Sequence, residues 1–222
     1  MVMKTFWDQS HDGSNFGDAL NVEVFRRLAG IELEWSEPED ADLFGIGSIA
    51  EAIPKGFPGI VLGTGKMFEE SVIDLSSARV LALRGPLTGQ SDLYADLGLL
   101  ASDLTQTVSR DVAVGWLPHY VDERLYYGER IDILAGVDSV IAAVARCKRL
   151  VSSSLHGLIL ADALGIENLW EPHHGVLGKG FKFRDYASSY GETITPGVWR
   201  LADREQVVTK QQALRSALET LT

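Results

Sequence analysis

The 222 residues carry 20 Lys and Arg against 31 Asp and Glu, a formal net charge of −11, with 45% apolar residues, 22 Gly and 7 Pro. This composition is globular and excludes disordered, collagen-like and low-complexity classes. A single cysteine, Cys147, excludes an internal disulfide framework and a Cys-rich zinc module, and no apolar run approaches the ~18 residues of a membrane span.

In chain order, VMKTFW (2–7) predicts a first strand running into a polar loop over 8–15. Asp18 is the predicted N-cap of a helix over 19–29, with Leu20, Val24 and Leu28 on one face and Gly30 as its stop. ADLFGIGS (41–48) and GIVLGTGK (59–66) predict strands that end in glycine turns. ARVLALRGPLT (78–88) predicts another, with Pro86 at the mouth of a following helix. The polar stretch 100–110 marks a predicted boundary between a domain of residues 1–106 and one of residues 107–222. Beyond it, 112–120 reads as strand and loop, and 138–147 as a helix with Val140, Ile141 and Val144 inward. Residues 149–166 read as strand, serine turn and a helix stopped at Gly165; 167–170 is a strand. A closing helix over 203–221 packs either on its own domain or back on the first. Alternating strands and helices predict an α/β fold with mainly parallel sheets, and a ligand crevice at the carboxyl ends of the strands.

The acidity is uneven: residues 1–111 carry 18 acidic and 8 basic side chains, residues 112–222 carry 13 and 12. A chain this acidic gains little from counterion release, so nucleic acid is not an expected partner. GIGSIA (45–50) matches the dinucleotide fingerprint loosely, without an acidic ribose ligand at the right distance, and GTGK (63–66) is no Walker loop because Met67 stands where Ser or Thr should be. Ser152, Ser153 and Ser154 run straight into a predicted helix that carries His156 in its first turn. Hydroxyls and free N–H groups there form an anion site without net positive charge, and the helix dipole lowers the imidazole pKa. A capping serine run with His156 filling a gap is an equal reading. Arg84, between an apolar run and Gly-Pro, reads as a grip for a phosphate or carboxylate or as a surface arginine in a turn, and His119, at the same topological position in the second half, reads equally as a ligand or as a loop histidine. Lys179, Lys182 and Arg184, interleaved with Phe181, Phe183 and Tyr186, form either a solvated loop or a wall meeting an anion and a sugar ring. His173-His174 lacks metal-ligand spacing, so no metal is expected.

Taken in order, several segments resemble the polysaccharide pyruvyltransferase family: Asn15-Phe16-Gly17-Asp18-Ala19-Leu20, Gly45-Ile46-Gly47-Ser48, Gly63-Thr64-Gly65 and Leu83-Arg84-Gly85-Pro86-Leu87-Thr88. Pro118-His119-Tyr120, residues 152–166 and Phe181-Lys182-Phe183-Arg184-Asp185-Tyr186 continue the match, which departs at Ala95-Asp96-Leu97-Gly98-Leu99, where a Gly-Asp-Pro turn is expected. The resemblance implies two Rossmann-like domains with mainly parallel sheets, GT-B-like, with the active site in the interdomain cleft. It implies transfer of pyruvate from phosphoenolpyruvate onto a sugar of an exopolysaccharide or cell-surface glycan as a ketal, with no cofactor. His156 then takes the acid/base role and Asp18 is a possible base. Arg84 and Ser152, Ser153 and Ser154 hold the anion, Asn15 orients the acceptor beside Gly17, and His119 and Lys182 complete the substrate site. The partners expected are phosphoenolpyruvate and a sugar acceptor, free or lipid-linked, with at most peripheral membrane contact. The opening MVMKTFWDQSHDGSN has no apolar core of signal-peptide length, so the expected location is cytoplasmic, or at the inner face of the membrane. A GT-B-type glycosyltransferase with a nucleotide-sugar donor and a non-catalytic sugar- or anion-binding protein are the alternatives.

Overall fold

The computed structural model describes residues 1–9 and 15–222; the predicted 8–15 loop therefore lies largely outside the described residues. The chain forms two five-stranded, mostly parallel sheets with helices, an α/β architecture. In the first sheet β1 (Val2–Phe6) lies between β2 (Glu32–Trp35) and β3 (Leu43–Phe44), and β4 (Ile60–Leu62) and β5 (Arg79–Ala82) follow outward, every pair parallel. In the second, β6 (Gly115–Leu117) lies between β7 (Glu129–Arg130) and β8 (Arg149–Ser152), followed by β9 (Glu167–Trp170) and an antiparallel edge, β10 (Trp199–Arg200). Both sheets thus run second, first, third, fourth, fifth in chain order. Each reverses its direction of strand addition once, between β1 and β3 and between β6 and β8. Connections that leave neighbouring strands toward opposite faces open a crevice at such a reversal, beyond the strands' carboxyl ends.

The helices follow local signals with some corrections. α1 (Phe16–Val24) continues as a π-helical turn over Phe25–Ala29 and stops at Gly30, whose φ of 64° suits glycine. It starts earlier than predicted: Asn15 is the N-cap, and Asp18 lies in the first turn. α2 (Val137–Ala145) buries Val140, Ile141 and Val144 as expected, and α3 (Leu155–Leu164) ends at Gly165. α3 buries eight of its ten residues, so its near-uniform apolarity marks a helix enclosed on all sides rather than a surface stripe. No helix follows Pro86. Thr88 turns back instead, its N–H and hydroxyl donating to the Asp185 carboxylate at 2.9 and 2.8 Å. The basic and aromatic stretch after Gly180 is α4 (Phe181–Ser188), not a loop, because Phe181, Phe183 and Tyr186 enter the interior.

Residues 97–104 form a buried 3-10 helix that shares one apolar cluster with α1, α2, α3 and the closing helix α5 (Arg204–Glu219). Asp203 caps α5 by accepting from the N–H groups of Glu205 and Gln206. α5 reaches the first half of the chain: Gln211 donates to the Leu99 carbonyl at 2.9 Å, and Arg215 pairs with Asp103 at 2.7 Å. Among the described residues no helix is long and apolar enough to cross a membrane.

Candidate active site

The two strand-order reversals converge on one cavity of about 70 Å³, room for roughly five waters at ~10–15 Å³ each. The connection after β1 contributes Asp8, Asn15 and Asp18, and the turn after β3 contributes Gly47 and Ser48. From the second sheet come His119 and Tyr120 after β6, and Ser154, Leu155 and His156 after β8; α4 adds Lys182. The doubled topology thus brings loops distant in sequence to a single polar hollow.

The serine turn divides its labour. Ser152 Oγ donates to the Leu117 carbonyl at 2.6 Å and accepts from Ser154 N at 3.0 Å. Ser153 Oγ donates to Asp122 at 2.7 Å and accepts from His119 N at 2.9 Å. Both are fully buried and tie the β6 loop to the β8 loop; Ser154 alone of the three lines the cavity. Burial works to raise the Asp122 pKa, but hydrogen bonds from Arg124 and Ser153 outweigh it and hold the carboxyl at about 2, so this knot keeps its charge.

His156 opens α3 with its ring against Gly17, where a Cβ would stand 2.0 Å from Nδ1; only a glycine admits the imidazole there. Its Nε2 lies 4.0 Å from Asp96 Oδ2, and neither atom has a hydrogen-bond partner. Burial first, then repulsion from Lys182, Arg84 and His119, lowers its pKa to about 3, so the imidazole is neutral at pH 7. Asp18 goes the other way. Burial drives its pKa to about 7; a hydrogen bond from Asn15 and the Lys182 charge pull it down, and Asp8 pushes it up. Burial and the Arg84 charge lower Lys182 to about 8, against the attraction of Asp18. Two groups in one cavity therefore exchange protons near neutrality, beside an imidazole held neutral.

Arg84 stands behind this surface. Its fully buried guanidinium donates from Nε to Asp185 at 2.9 Å, from Nη1 to Ser48 Oγ at 2.6 Å and from Nη2 to the Lys66 carbonyl at 2.5 Å. It lies against Gly65, where a Cβ would be 2.3 Å from Cζ. Of the residues singled out from the sequence, Asn15, Asp18, His119, Ser154, His156 and Lys182 meet at the cavity. Gly17, Arg84, Ser152 and Ser153 form its supporting wall. Asp8 and Ser48 at the cavity and Asp96 behind it do not stand out as site residues in the sequence. Asp96 carried a signal: an acid inside the apolar run Ala95-Asp96-Leu97-Gly98-Leu99-Leu100. Among the described residues no group of three or more His, Cys, Asp or Glu side chains is placed to hold a metal, and His173 and His174 line a separate hollow with Trp170 and Phe183.

Fold and site together define an α/β protein of two mostly parallel sheets whose reversal points share one small ionisable cavity. No family model matches the chain, and no solved structure matches it. An uncharacterized protein of Acanthamoeba polyphaga mimivirus, L143, is 30% identical over 174 residues, which cover 66% of this chain and 59% of that protein; the chain spans less than two thirds of that relative's length. The succinoglycan biosynthesis protein ExoV of Rhizobium meliloti is 25% identical over 233 aligned positions, covering 92% of this chain and 70% of that protein.

Proposed function

We propose that this chain modifies a polysaccharide or its precursor by transferring pyruvate from phosphoenolpyruvate onto a sugar as a ketal. The observation that carries this reading is the cavity in which a neutral imidazole, His156, sits with Asp18 and Lys182, whose pKa values stand at about 7 and about 8. Similarity to a succinoglycan biosynthesis protein supports a glycan as the acceptor. In this reading the two sheets are the cores of two Rossmann-like domains, residues 1–106 and 107–222, in a GT-B-like arrangement, and the protein works in the cytoplasm on a free or lipid-linked acceptor.

The chemistry asks for proton transfer and anion stabilisation. One sugar hydroxyl bonds to C2 of the enol as its CH2 takes a proton and becomes CH3. The C–O bond to phosphate then breaks, the second hydroxyl closes the ketal, and its proton leaves with the phosphate. The proton lost by the first hydroxyl replaces the one delivered to carbon. His156 is the proton carrier: burial, then the neighbouring cations, keep it neutral, and a bound dianion offsets those cations and raises its basicity. The first turn of α3, with Ser154, Lys182 and His119, faces the phosphate and carboxylate. Asn15 and Asp18 orient the acceptor, with Asp18 able to take up a hydroxyl proton. Arg84 acts through Ser48 and through the Asp185 pairing that seats α4.

Incubation with phosphoenolpyruvate and a panel of sugar acceptors should release phosphate and yield a ketal. His156→Ala should lower turnover by ~10²–10⁴ with the fold intact. Arg84→Ala strips buried Asp185 of its partner and so perturbs the fold as well; Ser48→Ala isolates the contact with the cavity. Thermal stabilisation by nucleoside diphosphates but not by phosphoenolpyruvate would transfer the assignment to a glycosyltransferase. Ligand stabilisation with no phosphate release, indifferent to His156, would leave a non-catalytic sugar- or anion-binding protein.

A further inference from the structure

We propose that Asp96 is the positioning residue for His156: its Oδ2 accepts the Nε2 proton of the imidazole, which fixes the tautomer and leaves Nδ1 as the nitrogen that exchanges protons with substrate. This deepens, and rests on, the reading of His156 as the proton carrier in pyruvyl transfer.

The geometry is specific. Asp96 is the N-cap of the 97–104 helix, and its Oδ1 accepts from Gly98 N at 2.8 Å, which fixes the carboxylate plane. The other oxygen has no partner, is fully buried, and faces the one nitrogen of His156 that is likewise buried and unpartnered, 4.0 Å away. Buried polar atoms nearly always find partners, so two orphans facing each other at just over hydrogen-bond distance need a reason. A gap of that size closes with a small shift when the site tightens around a ligand; hydrogen bonds of catalytic groups are often long in ligand-free enzymes. The residues come from different halves of the chain, Asp96 before the 3-10 helix and His156 at the start of α3, which pack together in one apolar cluster. That packing makes the separation a property of the core rather than of a loop.

The surrounding charges are consistent with this assignment. Lys182 from α4, Arg84 from the end of β5 and His119 from the β6 loop all oppose a proton on His156. Burial raises the Asp96 pKa to about 6, with a smaller push from Asp185, against the Gly98 N–H and the Arg84 charge, which lower it; the phenol of Tyr190, just beyond α4, feels the Asp96 charge as well. At neutral pH the pair is therefore a carboxylate facing a neutral imidazole, the combination in which the carboxylate selects the N–H tautomer on its own side.

Protein labelled with ¹⁵N-histidine, with His156 assigned by its loss in His156→Gln, reads the tautomer directly by nitrogen NMR. The expected result is an Nε2–H imidazole in the wild type. In Asp96→Asn, whose amide offers a donor to Nε2, the resonance should move to the Nδ1–H form. Asp96→Ser, which keeps a cap acceptor for Gly98 N, should leave a mixture. An Nδ1–H tautomer in the wild type, or an unchanged tautomer in folded Asp96→Asn, overturns the proposal, and the wild-type spectrum can overturn it even if neither variant folds. In the pyruvyl-transfer assay Asp96→Asn should lower kcat ~10–100-fold with KM for phosphoenolpyruvate unchanged, the loss typical of removing a residue that orients a reacting one. Absence of transfer by the wild type would sink the functional reading and still leave the pairing to be decided by the spectrum.

Discussion

Asp162 and Asp96 are both fully buried carboxylates lodged in the same apolar cluster, yet they are treated in opposite ways. Asp162, near the end of α3, accepts from Asn168 at 2.6 Å, from the Tyr186 hydroxyl at 2.9 Å and from Arg200 at 2.9 and 3.1 Å. Asp96, facing the first turn of that helix, has one oxygen capped and the other open toward His156. A fully paired buried charge locks the elements that supply its partners, here α3, α4, β9 and β10. A half-paired one keeps the capacity to gain or lose a hydrogen bond with a change of protonation. α3 therefore has a fully paired tail and a half-paired head, the end at which the proposed proton carrier sits.

Substitutions at the two ends should behave differently. Arg200→Met leaves the Asp162 carboxylate buried without its cation and should cost about 3–5 kcal/mol of stability in urea unfolding. A change below ~1 kcal/mol, the size of an exposed ion pair, would mean that the tail is not the anchor described. Gly17→Ala acts at the head. Alanine favours the helix itself by ~1 kcal/mol, but its Cβ overlaps the buried imidazole, so kcat/KM should fall about 10²-fold while the melting temperature drops only by what overpacking, ~1–3 kcal/mol, costs beyond that gain. Near-native turnover would show that the ring position is not needed for the reaction.

A further difference concerns pH. Asp18 has its folded-state pKa raised from 3.8 to about 7, so its contribution favours folding fully below about 3.8 and is lost as pH rises through 7. Asp18→Asn removes that loss. The variant's melting temperature relative to wild type should climb between pH 4 and 7 and level off above. His156 has the reverse sign: its depressed pKa supports folding above 6.5, and that support goes as pH falls toward 3. A difference between Asp18→Asn and wild type that is flat from pH 4 to 8 would show that the Asp18 carboxyl is not desolvated as described.

Much of the strand and helix rhythm was legible because its signals are local. Apolar runs locate β1, β8 and β9, and glycines that tolerate positive φ end α1's extension at Gly30 and α3 at Gly165. Short or edge elements were not: β2, β7 and β10 are two to four residues long and exist by virtue of their neighbours. α4 does not read as a helix from the sequence because its bases and aromatics alternate without a clean helical stripe. Burial of Phe181, Phe183 and Tyr186, with Phe183 stacked on Trp170 at 4.5 Å, makes it a helix.

For the site, residue type and strand-end position were enough to single out His156 and His119, since ionisable groups at strand termini are visible one segment at a time, whereas Asp18 and Lys182 gain a site role from the sequence only through the family resemblance. Which of them meet, and in what protonation state, is set by desolvation and by partners that no local window contains. Arg84 reads as an anion grip until Asp185, 101 residues further along, claims its guanidinium. Asp96 reads as an odd acid in an apolar run until α3 sets an imidazole opposite it. Periodicity is written between neighbours in the chain, whereas a buried charge takes its meaning from whatever the fold packs against it.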